Sequence, residues 1–444
     1  MVWSRARRGV IGGAVAAASL ALFLGGCETI HGLVDGGGAE RGAPAATFGS
    51  EPEIRVRVMR DQRHLDVVGP RAIVVRPLGG AAAASLASPV KVDVTQTGLI
   101  LKDGAGKTQT YPMGTAVELL PIQPAAGQVA VGESMLINGK PYPGIVQLRI
   151  KSAASPTFDV VMDMPVELYL PGVLEKELFK DWPRQAFEAQ AVAARTYALF
   201  ERERARAASK PFDVEATDAD QVFGGSARNV RAIEAVRMTR GQVITSGGKL
   251  IRAYFSSQCG GRPASAATAW SLNEQNAFNR DPALQAAKRD HYCQSSRLYR
   301  WTVTRPDDDL SRRLREYGKV TGGDYAKLTR LRAVEVASRN KADRPERYRL
   351  LDAGGSSYLI SPEELRVGCN YTVSDLPPVT AENRVNSGDL EISVWATQVR
   401  ITGRGFGHGV GMCQYCAKGM ADARMDWPNM IRAFFPGASV TKAY

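Results

Sequence analysis

An alanine-rich stretch at residues 183–207 places the strongest constraint on how this chain can fold. Trp182-Pro183 opens it, and proline fits the first turn of a helix, where its missing N–H is not needed. Asp181 is the predicted cap, because its carboxylate can accept from the free N–H groups at a helix start. Small residues recur with helical spacing, so we expect a long helix that packs closely against its neighbours. They are Ala186, Ala189, Ala193 and Ala194.

Two polar side chains, Gln190 and Arg195, interrupt this small-residue stretch. In the simpler interpretation the helix is buried and Arg195 meets a carboxylate; in the alternative the helix supports a functional site. Before the helix, a strand over residues 161–170 is predicted to end in the Pro171-Gly172 turn. This arrangement places Glu177 just ahead of a rigid helix, at the mouth of a cleft.

Residues 403–412, GRGFGHGVGM, are the most distinctive local pattern in the chain. Five glycines alternate with larger residues, so in an extended segment they would share one face of bare backbone. Such a segment is costly to order, which indicates that a sugar ring or a neighbouring helix lies against it. The spacing differs from the G-x-G-x-x-G of dinucleotide sites. His408 is either a hydrogen-bonded structural histidine or an active-site residue.

Residues 253–270 predict a strand that ends at Gly260-Gly261, where a ligand or another backbone can come close. Ser256 and Ser257 precede that turn, but no G-x-S-x-G sequence surrounds them, which argues against a serine hydrolase. The acidic stretch at residues 212–225 lacks the glycine and the terminal glutamate of an EF-hand. It therefore predicts a turn-rich loop rather than a calcium site.

Four motifs, in this order along the chain, resemble those of the stage II sporulation protein D family, which includes the LytB-type amidase enhancers. The first combines GVLEKEL with W-P and AQAVAARTYA, and the second contains Gln221 and the Gly224-Gly225 turn. The third is the serine-rich strand with its glycine pair. The fourth is similar to G-x-G-x-G-H-G-V-G-M-x-Q-x-G-A, in which Gln414 matches and Cys416 replaces a glycine. The resemblance covers roughly residues 135–440.

This resemblance implies an α+β fold with a central cleft and, as the family's best understood activity, lytic transglycosylation of peptidoglycan. The family's catalytic glutamate falls on Glu177, which would act as both acid and base, whereas Glu175 would be solvated. Glu188 is a departure, because family members have a lysine there. No cofactor and no metal are expected. The predicted substrate-binding residues are Gln190, Arg195, Gln221, Ser256, Ser257, Gly260, Gly261, His408 and Gln414.

Three functional classes remain open at this point. A lytic transglycosylase needs one carboxyl, because the sugar's own C6 hydroxyl attacks and closes a 1,6-anhydro ring, whereas ordinary glycosidases use two. A non-catalytic protein would instead hold glycan and stimulate a partner amidase. A structural envelope lipoprotein would need none of the candidate residues. Glu177 separates the first two classes, because a protein that only binds glycan should tolerate its loss.

The N-terminus predicts export. Three arginines precede an apolar segment in residues 1–26, as in a secretory signal, and Leu24-Gly25-Gly26-Cys27 has the form of a bacterial lipobox. Cys27 is the predicted lipidation site, and Glu28 in place of aspartate favours a periplasm-facing lipoprotein of the outer membrane. The predicted domains are a signal (1–26), a lipidated tether (27–50), a small β-rich module (51–134) and the family domain (135–444). Alternatively, the module's strands extend the next domain's sheet.

Five cysteines follow the lipobox, and an exported chain can form at most two disulfides from them. Cys259–Cys293 is one candidate pair and the Cys413-x-x-Cys416 motif another. Zinc held by that motif with His408 is a weaker alternative, because a fourth ligand is not evident. Some relatives in the family hold zinc with cysteine and histidine in the acidic stretch defined above. This chain has neither residue type there, so zinc is not expected at that place.

The formal net charge of +12 would make nucleic acid the default partner of a cytosolic protein. Export excludes that partner, so the predicted partners are peptidoglycan glycan strands and the membrane, through the lipid anchor. A cell-wall amidase joins them if the protein is an enhancer. A generic solvated basic surface explains the charge equally well.

Overall fold

The computed structural model describes residues 43–121, 134–270, 272–395 and 397–444. The predicted signal and its Cys27 lie outside these residues. Within them the α+β class is confirmed, because extensive sheets accompany long helices. No helix of the described residues is both long enough and apolar enough to cross a membrane.

The described residues between 53 and 165 are mainly β-structure. Its strands are β1 Glu53–Gln62, β2 His64–Val68, β3 Ala72–Pro77, β4 Ala84–Ala87, β5 Val90–Thr95, β6 Gly98–Asp103, β7 Thr108–Pro112, β8 Val117–Pro121, β9 Met135–Ile137, β10 Lys140–Tyr142, β11 Ile145–Ile150 and β12 Phe158–Pro165.

The middle of the chain is mainly helical. Its elements are α1 Val166–Glu177, α2 Arg184–Ala207, β13 Val214–Glu215, α3 Val230–Met238, β14 Gln242–Ser246, β15 Lys249–Leu250, β16 Phe255–Ser256, α4 Ala266–Ala269 and the 3-10 turns Glu274–Arg280 and Pro282–Leu284.

The last part begins with a compact lobe and ends with two helices. The lobe contains β17 Trp301–Pro306, α5 Asp307–Thr321, a 3-10 turn at Asp324–Lys327, β18 Leu331–Arg339, β19 Pro345–Asp352, β20 Ser357–Ile360, α6 Pro362–Cys369, β21 Leu390–Val394 and β22 Gln398–Gly403. The remaining elements are β23 Met412–Cys413, α7 Gln414–Asp422, α8 Trp427–Phe434 and β24 Ser439–Lys442.

Two larger sheets organise the first half. One has seven strands in the order β13-β1-β12-β11-β8-β3-β4, and the other has six in the order β10-β9-β2-β5-β6-β7. Strands from both sides of residue 134 therefore share a sheet: β8 pairs with β11, and β1 pairs with β12. This pairing favours the alternative in which the N-terminal strands extend the next domain's sheet, although the boundary itself stays a prediction.

The described residues form two hydrophobic cores. One runs from Ala46 to Ala443 and joins the sheets to α1, α2, α3, α7 and α8. The other contains only residues between Trp301 and Ile401, so the lobe packs around its own centre. Helix α2 lies in the first core, where its alanines allow α1, α3 and α7 to approach closely.

The segment before α2 differs from its prediction. Strand β12 stops at Pro165 and α1 follows at once, so the predicted strand end at residue 170, five residues later, was wrong. The predicted turn was also wrong, because Pro171 and Gly172 lie inside α1. Gly172 is there for packing: a Cβ would come within 2.2 Å of the Gly225 carbonyl oxygen. Local turn signals gave way to tertiary packing.

The start of α2 also differs in detail. The helix begins at Arg184, Pro183 is its cap residue, and no side chain caps it. Asp181, two residues before Pro183, is therefore not the predicted cap. The predicted long helix itself is confirmed, since α2 runs without interruption to Ala207.

Candidate functional site

Glu177 is the last residue of α1, and the chain turns to an extended conformation at Leu178. Its carboxyl group is buried beneath the start of α7. Oε2 accepts a hydrogen bond from Nε2 of Gln414 at 2.9 Å. Oε1 is buried without a hydrogen-bond partner. The carboxyl group thus has one oxygen held in place and one left for another group.

Burial raises the pKa of Glu177 to about 7, and the hydrogen bond from Gln414 opposes this shift only in part. Water stabilises a carboxylate strongly, so removing water favours the protonated acid. In the described part of the chain no arginine or lysine pairs with Glu177, so no cation offsets its burial. A carboxyl group with a pKa near neutrality can both give and take a proton at physiological pH.

Gln190 approaches the same hydrogen bond from the middle of α2. Its Oε1 lies 3.4 Å from Nε2 of Gln414, and its own Nε2 is buried without a partner. An unpaired acceptor on Glu177 and an unpaired donor on Gln190 therefore lie on either side of Gln414. Buried polar atoms rarely lack partners in proteins, so this arrangement is suited to a polar ligand such as a hydroxyl or an amide.

Three aromatic side chains that follow Glu177 and Gln414 in the sequence pack against one another. Trp182 lies 5.0 Å from Tyr415 and 5.5 Å from Phe179, centroid to centroid. Phe179 is 40% exposed, which is unusual for a large apolar side chain beside a buried carboxyl group. This cluster was not predicted from the sequence, although Phe179 and Trp182 closely follow Glu177 and Tyr415 directly follows Gln414. Flat aromatic faces suit the apolar face of a sugar ring.

Ser257 is the other predicted residue close to this group. Its carbonyl oxygen accepts the N–H of Tyr415 at 3.1 Å, and the residue is partly exposed. Ser256 is buried, and its Oγ accepts the N–H of Gly409 at 3.2 Å. Ser256 therefore holds the glycine motif in place, whereas Ser257 stays accessible beside the aromatic cluster.

The glycine motif does not form the extended strand expected from its alternation. Gly405, Gly407, Gly409 and Gly411 all have positive φ, between 69° and 86°, a region that favours glycine. Other parts of the protein lie beside them: backbone atoms of residues 254 and 258–260 face Gly411 and Gly405, the Ser256 Cβ faces Gly407, and the Arg344 guanidinium group faces Gly409. A Cβ on Gly411 would come within 2.2 Å of the Tyr254 carbonyl oxygen. Each of these glycines thus leaves room for a part of the chain that is distant in sequence.

The glycine pair after β16 also lies close to other parts of the chain, Gly260 to the glycine motif and Gly261 to Tyr299. Gly260 and Gly261 have φ of 63° and 88°. A Cβ on Gly260 would come within 2.7 Å of the Arg404 backbone, and one on Gly261 within 2.8 Å of the Tyr299 hydroxyl. The pair therefore lies against protein groups, and its role in substrate binding stays a prediction.

His408 is a buried neutral side chain. Burial, with the positive charges of Arg366 and Arg344, lowers its pKa to about 3. Its Nδ1 accepts the N–H of Val410 at 3.0 Å, and its ring lies beside Trp270. Its Nε2 has no well-aligned partner, although the Phe255 carbonyl is near enough to affect the pKa. No contact joins His408 to Glu177 among the described residues, which supports the structural interpretation.

Arg195 and Gln221 are both fully engaged within the fold. Arg195 donates from Nε and Nη2 to the two carboxylate oxygens of Glu167, each at 2.9 Å. Gln221 accepts from the Tyr169 hydroxyl at 3.1 Å and donates to the Ala194 carbonyl at 3.2 Å. The interpretation in which Arg195 meets a carboxylate is confirmed, and neither side chain reaches the Glu177 group.

Glu188, at the position of the family lysine, lies one turn after the start of α2. Arg184 contacts it at 3.1 Å, four residues earlier on the helix, and remains 57% exposed. Burial raises the pKa of Glu188, and the charge of Arg184 opposes that shift. The positive charge near position 188 therefore comes from Arg184 rather than from a lysine at position 188 itself.

Four of the five described cysteines lie together behind α7. They are buried free thiols, and the sulfur atoms of Cys259, Cys293, Cys413 and Cys416 all lie within 4.8 Å of one another. The predicted disulfide pairs are not formed: Cys259 Sγ lies 4.0 Å from Cys293 Sγ, whereas a disulfide bond is about 2.05 Å long. His408 does not belong to this group, so the weaker alternative that joined it to Cys413 and Cys416 was wrong.

Comparison with known proteins agrees with this architecture. A family described as stage II sporulation protein matches residues 154–246, and a domain of unknown function matches residues 252–411. The first match contains α1, α2 and Glu177. The second contains the serine strand, the second-core lobe and nearly all of the glycine motif.

Three relatives extend the similarity along the chain. An uncharacterised protein of Brachyspira hyodysenteriae is 30% identical over 285 residues, covering 64% of this chain and 68% of that protein. The amidase enhancer of Bacillus subtilis is 26% identical over 77% of this chain but only 49% of its own length. Stage II sporulation protein D of Bacillus subtilis is 23% identical over 72% of this chain and 88% of its own length. The chain belongs to the family of stage II sporulation protein D and the amidase enhancers.

Proposed function

We propose that this protein is a lytic transglycosylase that cleaves the β-1,4 bond between N-acetylmuramic acid and N-acetylglucosamine in peptidoglycan, with Glu177 as its acid and base. The observation that carries this proposal is the buried carboxyl group of Glu177, whose pKa is raised to about 7 and which has one oxygen free of partners. Membership of a family named for sporulation and amidase enhancement is consistent with a substrate in the cell wall.

The single carboxyl group suits a reaction in which the substrate supplies its own nucleophile. Glu177, protonated on the unpartnered Oε1, would donate its proton to the glycosidic oxygen as the bond to C1 breaks. The C6 hydroxyl of the same sugar would then attack C1, and Glu177 would take the hydroxyl proton back. One proton is given and one recovered, and the product is a 1,6-anhydro sugar. An ordinary glycosidase would require a second carboxyl group, and among the described residues no other carboxylate contributes to the raised pKa of Glu177.

Residues around Glu177 have suitable positions for holding the sugar. Gln414 donates to Oε2 and so orients the carboxyl group with Oε1 available. Nε2 of Gln190 offers an unpaired donor to a hydroxyl or an acetamido oxygen. Phe179 and Tyr415 offer aromatic faces at the edge of the site. In this proposal these residues bind glycan, whereas Arg195 and Gln221 maintain the fold.

The proposal includes the cellular location inferred from the N-terminus. Cleavage after Gly26 and acylation of Cys27 would anchor the protein to a membrane in the cell envelope, where glycan strands are accessible. More than one acyl chain would make that attachment stable. The predicted outer-membrane, periplasm-facing position belongs to the same proposal.

A second function is supported by similarity to the amidase enhancer and by the change at Glu188. In that case the same cleft would bind glycan without cleaving it, and the protein would stimulate an N-acetylmuramoyl-L-alanine amidase. The raised pKa of Glu177 would then have no chemical role.

The test is a digestion of purified glycan strands, with and without stem peptides, by protein that starts at residue 28. Three proteins are compared: wild type, Glu177→Gln, and Glu175→Gln as a matched control two residues earlier on the same helix. Mass spectrometry reads the products. Fragments with 1,6-anhydro ends from wild type and the control, but not from Glu177→Gln, would support the proposal.

Two other outcomes contradict transglycosylation by Glu177. Glycan binding without fragments from any of the three proteins would favour the enhancer function, which is then checked by adding an amidase. Equal cleavage by wild type and Glu177→Gln would show that another residue is the acid.

A further inference from the structure

The four-cysteine cluster has the dimensions of a tetrahedral metal site. Cys259 Sγ lies 4.0 Å from Cys293 Sγ and 3.9 Å from Cys416 Sγ, and all four sulfur atoms lie within 4.8 Å of one another. A zinc ion with four thiolates at about 2.3 Å places its sulfur atoms roughly 3.8 Å apart. The observed spacings are close to that value and well beyond the length of a disulfide bond.

The backbone around the cluster supplies the hydrogen bonds that zinc-bound thiolates usually receive. The N–H groups of Cys259 and Cys416 both donate to Cys413 Sγ, at 3.3 and 3.4 Å. Such bonds to a ligand sulfur orient it and stabilise its negative charge. The second donor comes from within the Cys413-x-x-Cys416 segment at the start of α7, a spacing that recurs in zinc sites.

The cluster also joins three distant parts of the chain. Cys259 follows β16, Cys293 lies in the segment before β17, and Cys413 and Cys416 belong to β23 and α7. All four side chains are at most 1% exposed. A closed, water-excluded set of four protein ligands is typical of structural rather than catalytic zinc.

We infer that Cys259, Cys293, Cys413 and Cys416 bind one Zn²⁺ ion as a structural site. Four thiols lose their protons as the ion enters, so the site is a tetrathiolate with two net negative charges. A four-iron cluster would hold its cysteines farther apart. Two disulfides would require the sulfurs to separate into pairs, yet Cys259 is almost equally distant from two partners. The site is distinct from the acidic stretch at residues 212–225.

The metal would position the candidate active site through the chain. Gln414 directly follows Cys413 and donates to Glu177, so fixing Cys413 and Cys416 fixes the helix start that carries Gln414. Cys259 likewise precedes the glycine pair that packs against residues 404 and 405. The inference rests on the cysteines alone and does not depend on the proposed function.

The test is the metal and thiol content of the purified protein, isolated without reducing agent from cells supplied with zinc. Elemental analysis by mass spectrometry should find one zinc per chain, released only when a thiol reagent modifies the cysteines. Cys293→Ala should lower zinc to background. The matched control is Cys369→Ala, which removes a buried cysteine of the second core that lies outside the cluster and should leave one zinc per chain.

A second measurement keeps the test decisive if Cys293→Ala fails to fold. Wild-type protein in which Co²⁺ replaces zinc should show the intense visible bands and the sulfur-to-metal charge-transfer absorption of a tetrahedral thiolate site. Peptide mapping that finds these four cysteines joined as two disulfides, with no bound zinc, would overturn the inference. Stoichiometric iron in place of zinc, or zinc that remains after loss of Cys293 in a folded protein, would overturn it as well.

Discussion

Helix α1 carries two glutamates, the partly buried Glu167 near its start and the buried Glu177 at its end, and their surroundings differ sharply. Glu167 meets the guanidinium group of Arg195 through both oxygens, and the Tyr444 hydroxyl and the Gly241 N–H also donate to it. Glu177 has one amide donor and an oxygen without a partner. Both oxygens of Glu167 thus accept hydrogen bonds, whereas one oxygen of Glu177 accepts none.

The pKa values of the two groups follow from this difference. Burial raises the pKa of Glu167, but the charge and hydrogen bonds of Arg195 outweigh burial and leave it lowered. Burial alone dominates at Glu177 and raises its pKa to about 7. A buried carboxylate with a counterion stabilises a fold, whereas one without a counterion is costly to the fold and available for proton transfer.

The largest effect is expected from breaking the ion pair between Glu167 and Arg195. Arg195→Met should lower the free energy of unfolding by about 3–5 kcal/mol, because it leaves Glu167 buried without its counterion. Arg206→Met is the control: this arginine is largely exposed, and Arg55 continues to pair with its partner Asp213. The control should cost less than about 1 kcal/mol. Urea denaturation of both variants measures the difference, and equal effects would contradict the contrast between the two glutamates.

The second prediction concerns how the burial of Glu177 makes stability depend on pH. Glu177 titrates near 4.5 when unfolded and at about 7 when folded, so between these values the folded state binds more protons. Its burial therefore lowers stability as pH rises through that window, by up to about 3 kcal/mol. Glu177→Gln should remove this fall, so the variant gains stability relative to wild type as pH increases. Denaturation curves at the two ends of the window test this, and parallel profiles would contradict it.

At Glu167 the sign is opposite. Its folded pKa lies below the ordinary value, so its contribution to stability is present above that value and is lost as pH falls through the folded pKa. Arg195→Met should remove this acid-side loss, because burial of Glu167 is then no longer offset by its counterion.

A smaller effect is expected at Gln414, whose hydrogen bond lowers the Glu177 pKa. Gln414→Leu should raise that pKa further, so the alkaline limb of the cleavage rate moves to higher pH. The rate at its optimum should fall about tenfold, because the carboxyl group loses its orienting partner. A pH profile of anhydro-product formation measures both changes. A limb that stays in place would show that Gln414 does not act on Glu177.

The smallest effect is expected at Glu175, on the opposite side of the last turn of α1. Its carboxylate accepts only the Arg228 N–H, at 2.9 Å near the surface. Glu175→Gln keeps an acceptor oxygen and should change stability by less than about 0.5 kcal/mol and leave glycan cleavage unchanged. A loss of activity comparable to that of Glu177→Gln would remove the distinction between these two glutamates.

Several features could be predicted from sequence because they depend on local pattern. The small-residue spacing of α2 was sufficient to predict its length and burial. The motif resemblance placed Glu177 and Gln414 among the functional residues, and the structure brings these two side chains together with Gln190. The catalytic and binding roles of these residues stay predictions until the digestion is done.

Other features could not be predicted, because they depend on residues far apart in the chain. Pro171-Gly172 has the local signature of a turn, but packing against residues 223–225 places it inside a helix. The glycine alternation suggests a strand, yet four of its glycines have positive φ and lie against Tyr254, Ser256, the backbone of residues 258–260 and the Arg344 guanidinium group. In both cases the deciding contact comes from a segment more than 50 residues away.

What the sequence alone determined is the helical core element, the family and the identity of the candidate acid, since these depend on residue spacing and local composition. What only the tertiary structure decided is the protonation behaviour of Glu177 and the meeting of the four cysteines. A pKa depends on which charges and donors surround a group, and a metal site depends on atoms within a few ångströms. Both are set by how separate segments pack, and neither the spacing of the residues nor their types contain that information.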